Sequence, residues 1–309
     1  MRCLLFVLFV FVAPFISKGQ EKKILDHSDY KRWREIKGSE ISGNGNFVLY
    51  RLGNERVDPE LKIQDLQKNN EYHFARGTNG NFSYDSEYAF FMIKPPYDSL
   101  QELRRRKTKE EKLPKDTLVI FYTASGETTM IPRVQSYKIP GKGSGWLAYL
   151  LEAVQNDTTQ SDTARAKVKM KKESKKNGYQ LVLRELASAY QDTFKYVTEY
   201  NFSEDGSAFM FHSTGDDSLF LPGVYRFDLT ARELQPMMRG KGTFKQMAIS
   251  DDGDQLAFLA HQDTVKNRLL EVFSLYHWQA GKDSATMIVD STHARMPGGW
   301  LLNQFHKLT

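Results

Sequence analysis

The sequence predicts an all-β fold, an incomplete β-propeller of about five blades with two charged insertions, and three observations predict it. One turn motif recurs along the chain at the length of a propeller blade. Each copy runs straight into a stretch of strand-forming residues. The composition, 40% hydrophobic, 26% charged and 13% aromatic, is that of a folded protein and excludes disordered, collagenous or low-complexity chains.

Residues 1–19 read as a secretory signal peptide. Arg2 supplies the positive start, an apolar run from Cys3 to Ile16 follows, and Ser17 and Gly19 are small residues suited to cleavage. The apolar run is short for a bilayer span, which ranks an uncleaved anchor second. Cleavage removes Arg2, Lys18 and the only Cys, leaving a formal net charge of +3 and no thiol. An exported chain of this size without cysteine relies on its own core rather than on disulfides. The expectation is a periplasmic or secreted protein, a partial propeller over residues 20–309, with no stable membrane insertion after cleavage.

The repeat organises the rest. Ile41-Ser42-Gly43-Asn44-Gly45 leads into residues 46–50, and Phe82-Ser83-Tyr84-Asp85-Ser86 leads into residues 87–91. Phe202-Ser203-Glu204-Asp205-Gly206 precedes residues 207–211, and Ile249-Ser250-Asp251-Asp252-Gly253 precedes residues 254–258. A degenerate copy, Ile139-Pro140-Gly141-Lys142-Gly143, precedes residues 146–149. The blade-turn residues are Asn44, Gly45, Asp85, Gly143, Asp205, Gly206, Asp252 and Gly253. Gly reaches the positive φ of a tight turn without steric penalty, and the short Ser and Asp side chains bond back to the turn's own amides. Further strands are expected over residues 62–66, 117–123, 179–186, 223–229 and 269–276, with another turn at Leu229-Thr230-Ala231-Arg232.

The first two copies are 41 residues apart and the last two 47, room for about four short strands each, as in propeller blades. A sandwich or barrel also has many short strands, but it does not repeat one turn at blade length. The longer intervals around the third copy hold the two charged stretches. Residues 101–116 carry seven basic and four acidic residues, and residues 155–178 seven basic and three acidic. Both lack aromatics, so neither has the interleaving expected of a nucleic-acid interface. They are expected to be solvated, mobile insertions, with an acidic partner or an anionic lipid surface as the alternative use.

These copies resemble the blade motifs of the propeller that precedes the α/β-hydrolase domain in the prolyl oligopeptidase family of serine peptidases. Asp29-Tyr30-Lys31-Arg32-Trp33, continuing to Gly45-Asn46-Phe47-Val48-Leu49-Tyr50, is similar to the mature start of large exported members in Bacteroidetes-type bacteria. The Ser-x-Asp-Gly turn also occurs in other propellers, including the TolB-like periplasmic type. The resemblance implies a propeller that caps a peptidase active site and admits short peptides, with the chemistry in a hydrolase domain. Peptide substrates would then be its partners, reached through that missing domain. Met296-Pro297-Gly298-Gly299-Trp300-Leu301-Leu302 reads as the start of another blade. Since the family's propeller has seven blades, the resemblance implies a truncated member. The alternative is a free-standing propeller that binds a protein or peptide.

No catalytic, cofactor-binding or metal-binding residues are expected. A Gly-x-Ser-x-Gly elbow would place a nucleophile on a strand-to-helix turn, yet the nearest string is Lys142-Gly143-Ser144-Gly145-Trp146, where Ser144 reads as a turn residue. His27, His73, His212, His261, His277, His293 and His306 lack the spacing of a zinc pair. Glu110-Glu111 sits among lysines and reads as solvated ion pairing rather than as an amine-binding pair. Asp251, Asp252 and Asp254 lack the terminal Glu of a calcium loop. Asn81 and Asn201 match a glycosylation pattern of little meaning in a bacterial export context. Trp33, Trp146, Trp278 and Trp300 are expected to pack in the core or at blade edges.

Overall fold

The computed structural model describes residues 26, 29, 33–53, 57–153, 171–188, 190–215, 220–262, 270–305 and 308. The expected signal peptide and most of the second charged insertion lie outside them. Strands β1 (Glu35–Ile41), β2 (Phe47–Gly53), β3 (Glu60–Asp65) and β4 (Asn70–Ala75) form one antiparallel meander, the first blade. The second is β5 (Gly77–Phe82), β6 (Tyr88–Ile93), β7 (Thr117–Tyr122) and β8 (Thr128–Pro132). A seven-stranded sheet holds β9 (Val134–Lys138), β10 (Trp146–Leu151), β11 (Tyr179–Glu185), β12 (Gln191–Phe202), β13 (Ala208–Ser213), β14 (Gly223–Asp228) and β15 (Glu233–Arg239). A last meander joins β16 (Thr243–Ile249), β17 (Gln255–His261), β18 (Ser274–Gln279) and β19 (Thr286–Val289).

The seven-stranded sheet is two blades sharing one strand. Residues 191–194 of β12 pair with β11 as the fourth strand of blade 3, whereas residues 197–202 pair with β13 as the first strand of blade 4. Tyr196, between the halves, has φ +56°. Five blades result, each begun by one copy of the turn motif between its first and second strands.

In blades 2 to 4, which have a neighbour on each side, the second and third strands are largely buried on both faces, whereas β3 of blade 1 alternates. The runs YAFFMI in β6 and WLAYLL in β10 are buried almost throughout, the signature of a strand packed on two sides. Outer strands β4 and β8 alternate instead. Pro132 and Pro236 both lie on such edge strands, where a missing N–H costs no ladder bond. Four apolar clusters fill the four junctions between successive blades. The largest joins Trp146, Leu181 and Leu183 of blade 3 to Phe209, Phe211 and Phe227 of blade 4.

Four of the five expected strands match to within two residues at each end. The exception is 269–276: its strand runs from Ser274 to Gln279, because β17 ends at His261 and its partner register starts with Ala260 opposite Ser274. No strand forms over residues 296–302, where a further blade was expected to start, and Trp300 is 65% exposed. The first charged insertion is not structureless either. It is preceded and partly formed by helix α1 (Tyr97–Arg105), extended by a Glu102–Arg106 ion pair one helical turn apart, and Leu113 within it is buried. Trp146 and Trp278 are buried as expected, but Trp33 is exposed.

Candidate functional site: the cleft along the first strands

The turn motif builds the framework. In all four well-formed copies the serine hydroxyl donates to the Asn or Asp two residues on: Ser42 to Asn44 at 2.8 Å, Ser83 to Asp85 at 2.5 Å, Ser203 to Asp205 at 2.7 Å and Ser250 to Asp252 at 2.6 Å. The same hydroxyl accepts the backbone N–H five residues later, at 2.9–3.0 Å. Gly45, Gly206 and Gly253 take φ between +71° and +74°, and Ser86 takes the same conformation at +65°. Burial pushes the Asp205 carboxyl up, but hydrogen bonds from Ser207 and Ser203 outweigh it and hold the group below the usual range.

Gly143 does not take the turn-glycine role in the third copy. Gly145 has the positive φ there, +82° with open space around it. A Cβ on Gly143 would instead lie 2.4 Å from the Asp205 carbonyl oxygen and 2.6 Å from Gly206 Cα. Gly143 is glycine because another blade's backbone passes against it. Turns of other neighbouring blades are also joined: Asn44 N–H donates to Ser86 Oγ at 3.1 Å, and Asp205 N–H to the Asp251 carbonyl at 3.0 Å.

The first strands carry a second repeated feature, absent from the sequence reading. Gly38, Asn79 and Gln246, each four residues before a turn serine, have φ of +66°, +54° and +55° and sit at breaks in strand register. A bulge with this geometry re-aims the side chains beside it. In blades 1 and 2 the bulges border a cleft whose successive parts share lining residues. Its widest part, about 580 Å³, lies between blades 2 and 3 and is lined by Asn79, Asn81, Gln135, Ser136, Tyr137 and Lys138 among others. A part of about 270 Å³ shares Glu40 and Asn79 with it toward blade 1, and one of about 410 Å³ shares Gln135, Ser136 and Lys138 toward blade 4.

Cross-blade bonds fix this lining. The Glu40 carboxylate accepts the Phe82 N–H at 3.1 Å and Asn81 Nδ2 at 3.3 Å. Tyr137 donates to the Asn79 carbonyl at 2.6 Å, and burial drives its phenol far above the usual range. Ser136 meets the Tyr200 hydroxyl at 2.9 Å, and Lys138 donates to the Tyr200 carbonyl at 2.8 Å. Burial pushes the Tyr200 phenol up to about 12. Burial likewise raises the Glu199 carboxyl, although a bond from the Met247 backbone opposes it. The lining offers fixed amide, hydroxyl, carboxylate and ammonium groups.

Ser144 lies in the turn region between β9 and β10. Glu111 pairs with Lys172 at 3.0 Å, as solvated ion pairing implies. Among the described residues no cluster of His, Cys, Asp or Glu could hold a metal, and no helix is long and apolar enough to cross a membrane. His212 is the one described histidine buried in the core. Its Nδ1 is 2.6 Å from Thr198 Oγ1, and its buried Nε2 has no hydrogen-bond partner. Burial, reinforced by the charge of Lys171, lowers its pKa from 6.5 to about 4.

The sign of that shift yields a test. Protonation favours the unfolded chain, so His212 contributes fully above its ordinary pKa and loses its contribution as pH falls from 6.5 toward 4. Denaturant unfolding should show about 3 kcal/mol of stability lost through this group by pH 4. His212→Phe should remove that part of the slope; an unchanged slope would refute the assignment.

No family model matches the chain, and no curated protein sequence matches it. Among solved structures it is similar to a prolyl endopeptidase, with 12% identity and a TM-score of 0.45 over 83% of this chain and 36% of that one. It is also similar to the β-propeller domain of the Trilobed protease from Pyrococcus furiosus, at 12% identity and TM-score 0.42, covering 85% of this chain and 73% of that one. A putative TolB from Agrobacterium tumefaciens gives 10%, 0.35, 83% and 81% for the same quantities. The chain therefore spans about a third of the length of the prolyl endopeptidase it resembles.

Proposed function

We propose that this chain is the substrate-gating propeller of an exported serine peptidase of the prolyl oligopeptidase type, supplying a filter for peptides and no chemistry of its own. The observation that carries this reading is the cleft along the first strands. Its donors and acceptors are held by bonds between blades, so they are pre-organised to meet the amides of an extended peptide. The blade motifs and the opening segment, which resemble that family, support the choice of peptidase.

Short proline-containing peptides carrying a fluorophore should bind the purified chain, measured by polarisation, without being cleaved. Gln135→Ala with Lys138→Met should weaken binding at least several-fold. A fluorophosphonate serine probe should leave the chain unlabelled. Absence of peptide binding, or hydrolysis blocked by a serine reagent, would overturn the proposal. The coding sequence beyond residue 309 separates this reading from a free-standing peptide-binding propeller. Only the gating reading expects a Gly-x-Ser-x-Gly elbow followed by Asp and His in frame.

A further inference from the structure

The meander topology sorts the connections of every blade to two ends. First-to-second and third-to-fourth strand turns share one end, as the Asn44–Ser86 and Asp205–Asp251 bonds between blades show. Second-to-third connections and blade-to-blade crossovers share the other, where Arg76 N–H donates to the Pro59 carbonyl at 2.6 Å and Gly240 N–H to the Pro222 carbonyl at 2.9 Å. Charge follows the same division. The turn end holds nine carboxylates and four cations in its connections. The connections at the opposite end hold fifteen cations and nine carboxylates among the described residues.

Both charged insertions are second-to-third connections, in blades 2 and 3, and the Lys172–Glu111 ion pair brings residues 101–116 and 171–178 together. Seven exposed cations there, among them Arg104, Arg105, Lys175 and Lys176, have no ion-pair partner among the described residues. The corresponding connections of blades 4 and 5 present Leu221 and Leu270, 48% and 66% exposed. Tyr97, Phe220 and Phe273 are half-buried or buried, so among the described residues of these connections no aromatic is exposed for base stacking. A bilayer surface asks for less: unpaired positive charge, and apolar side chains able to enter the headgroup layer.

We infer that this end of the propeller is a peripheral docking surface for an anionic lipid bilayer, held by residues 94–116 of blade 2 and 171–178 of blade 3. Apart from Lys175, which also borders the part of the cleft toward blade 4, the peptide cleft plays no part in it, so either proposal can fail alone.

Sedimentation of the full chain with vesicles of phosphatidylcholine, alone or mixed with phosphatidylglycerol, tests this. Binding is expected on the anionic vesicles and should fall steeply with added salt. Arg104→Glu, Arg105→Glu, Lys175→Glu and Lys176→Glu together should weaken it by roughly fivefold per cation removed. Lys68→Glu with Lys282→Glu, at the opposite end, should leave it unchanged; circular dichroism checks that each variant is folded. Any contribution from the apolar N-terminal run is common to all the variants. Should the fourfold variant not fold, salt release of the unaltered chain still decides. Equal partitioning onto neutral vesicles, salt-insensitive binding or full binding by the fourfold variant would overturn the inference. So would polyglutamate or duplex DNA binding more tightly than the anionic vesicles and displacing them.

Discussion

Gly143→Ala should lower stability by about 3 kcal/mol, the upper part of the usual range for overpacking. The added methyl has nowhere to go. It would press on the carbonyl of Asp205 and the Cα of Gly206, both backbone atoms of the next blade's turn. Lys142 and Gly143 also donate to the Glu204 carbonyl, at 2.6 and 3.1 Å, so pushing the turns apart strains these bonds as well. In a protein of this size the loss corresponds to a fall of about 6–12 °C in Tm. Gly145→Asn is the control. Its φ of +82° suits Asn better than other side chains, and a Cβ there meets nothing within 4 Å. A change of less than about 1 kcal/mol is expected. If both variants melted alike, the close passage of blades 3 and 4 would not be what requires glycine at 143.

Phe211→Ala should cost about 4 kcal/mol. Phe211 is fully buried at the centre of the largest cluster. Its ring lies 4.4 Å from Phe194, 5.4 Å from Tyr225 and 6.1 Å from Phe209, centroid to centroid. Aromatic neighbours on rigid strands cannot collapse into the space a benzyl group leaves, so the cavity remains. The loss should appear in denaturant unfolding as a lower midpoint with little change in slope. Met130→Ala on outer strand β8, where the side chain is 57% exposed, should stay within about 0.5 kcal/mol. Comparable losses at the two positions would contradict a core centred on the blade junctions.

Local chemistry determined much of this fold in advance. The Ser-x-Asp-Gly copies need only their own backbone to close, and the bonds from Ser42, Ser83, Ser203 and Ser250 are internal to a few residues. The blade count and most central strands could therefore be read from residue types and spacing. Strand β12 could not, because its two halves belong to different blades and its alternation of polar and apolar residues depends on which partner each half meets.

The cleft was not legible either. Asn79, Ser136, Tyr137, Lys138 and Glu199 carry no local motif, and they meet only where first strands of successive blades lie side by side. The bulges at Gly38, Asn79 and Gln246 do recur at one offset before the turn serine, but Gly, Asn and Gln share no side-chain chemistry that would mark them. The sequence by itself determined the turns, the blade repeat and the positions of the charged insertions. Tertiary structure alone decided which glycine must stay bare, which polar groups face one cleft, and that both insertions share an end. Turn chemistry acts over a few bonds along the chain, whereas these outcomes depend on contacts between backbones that are dozens of residues apart.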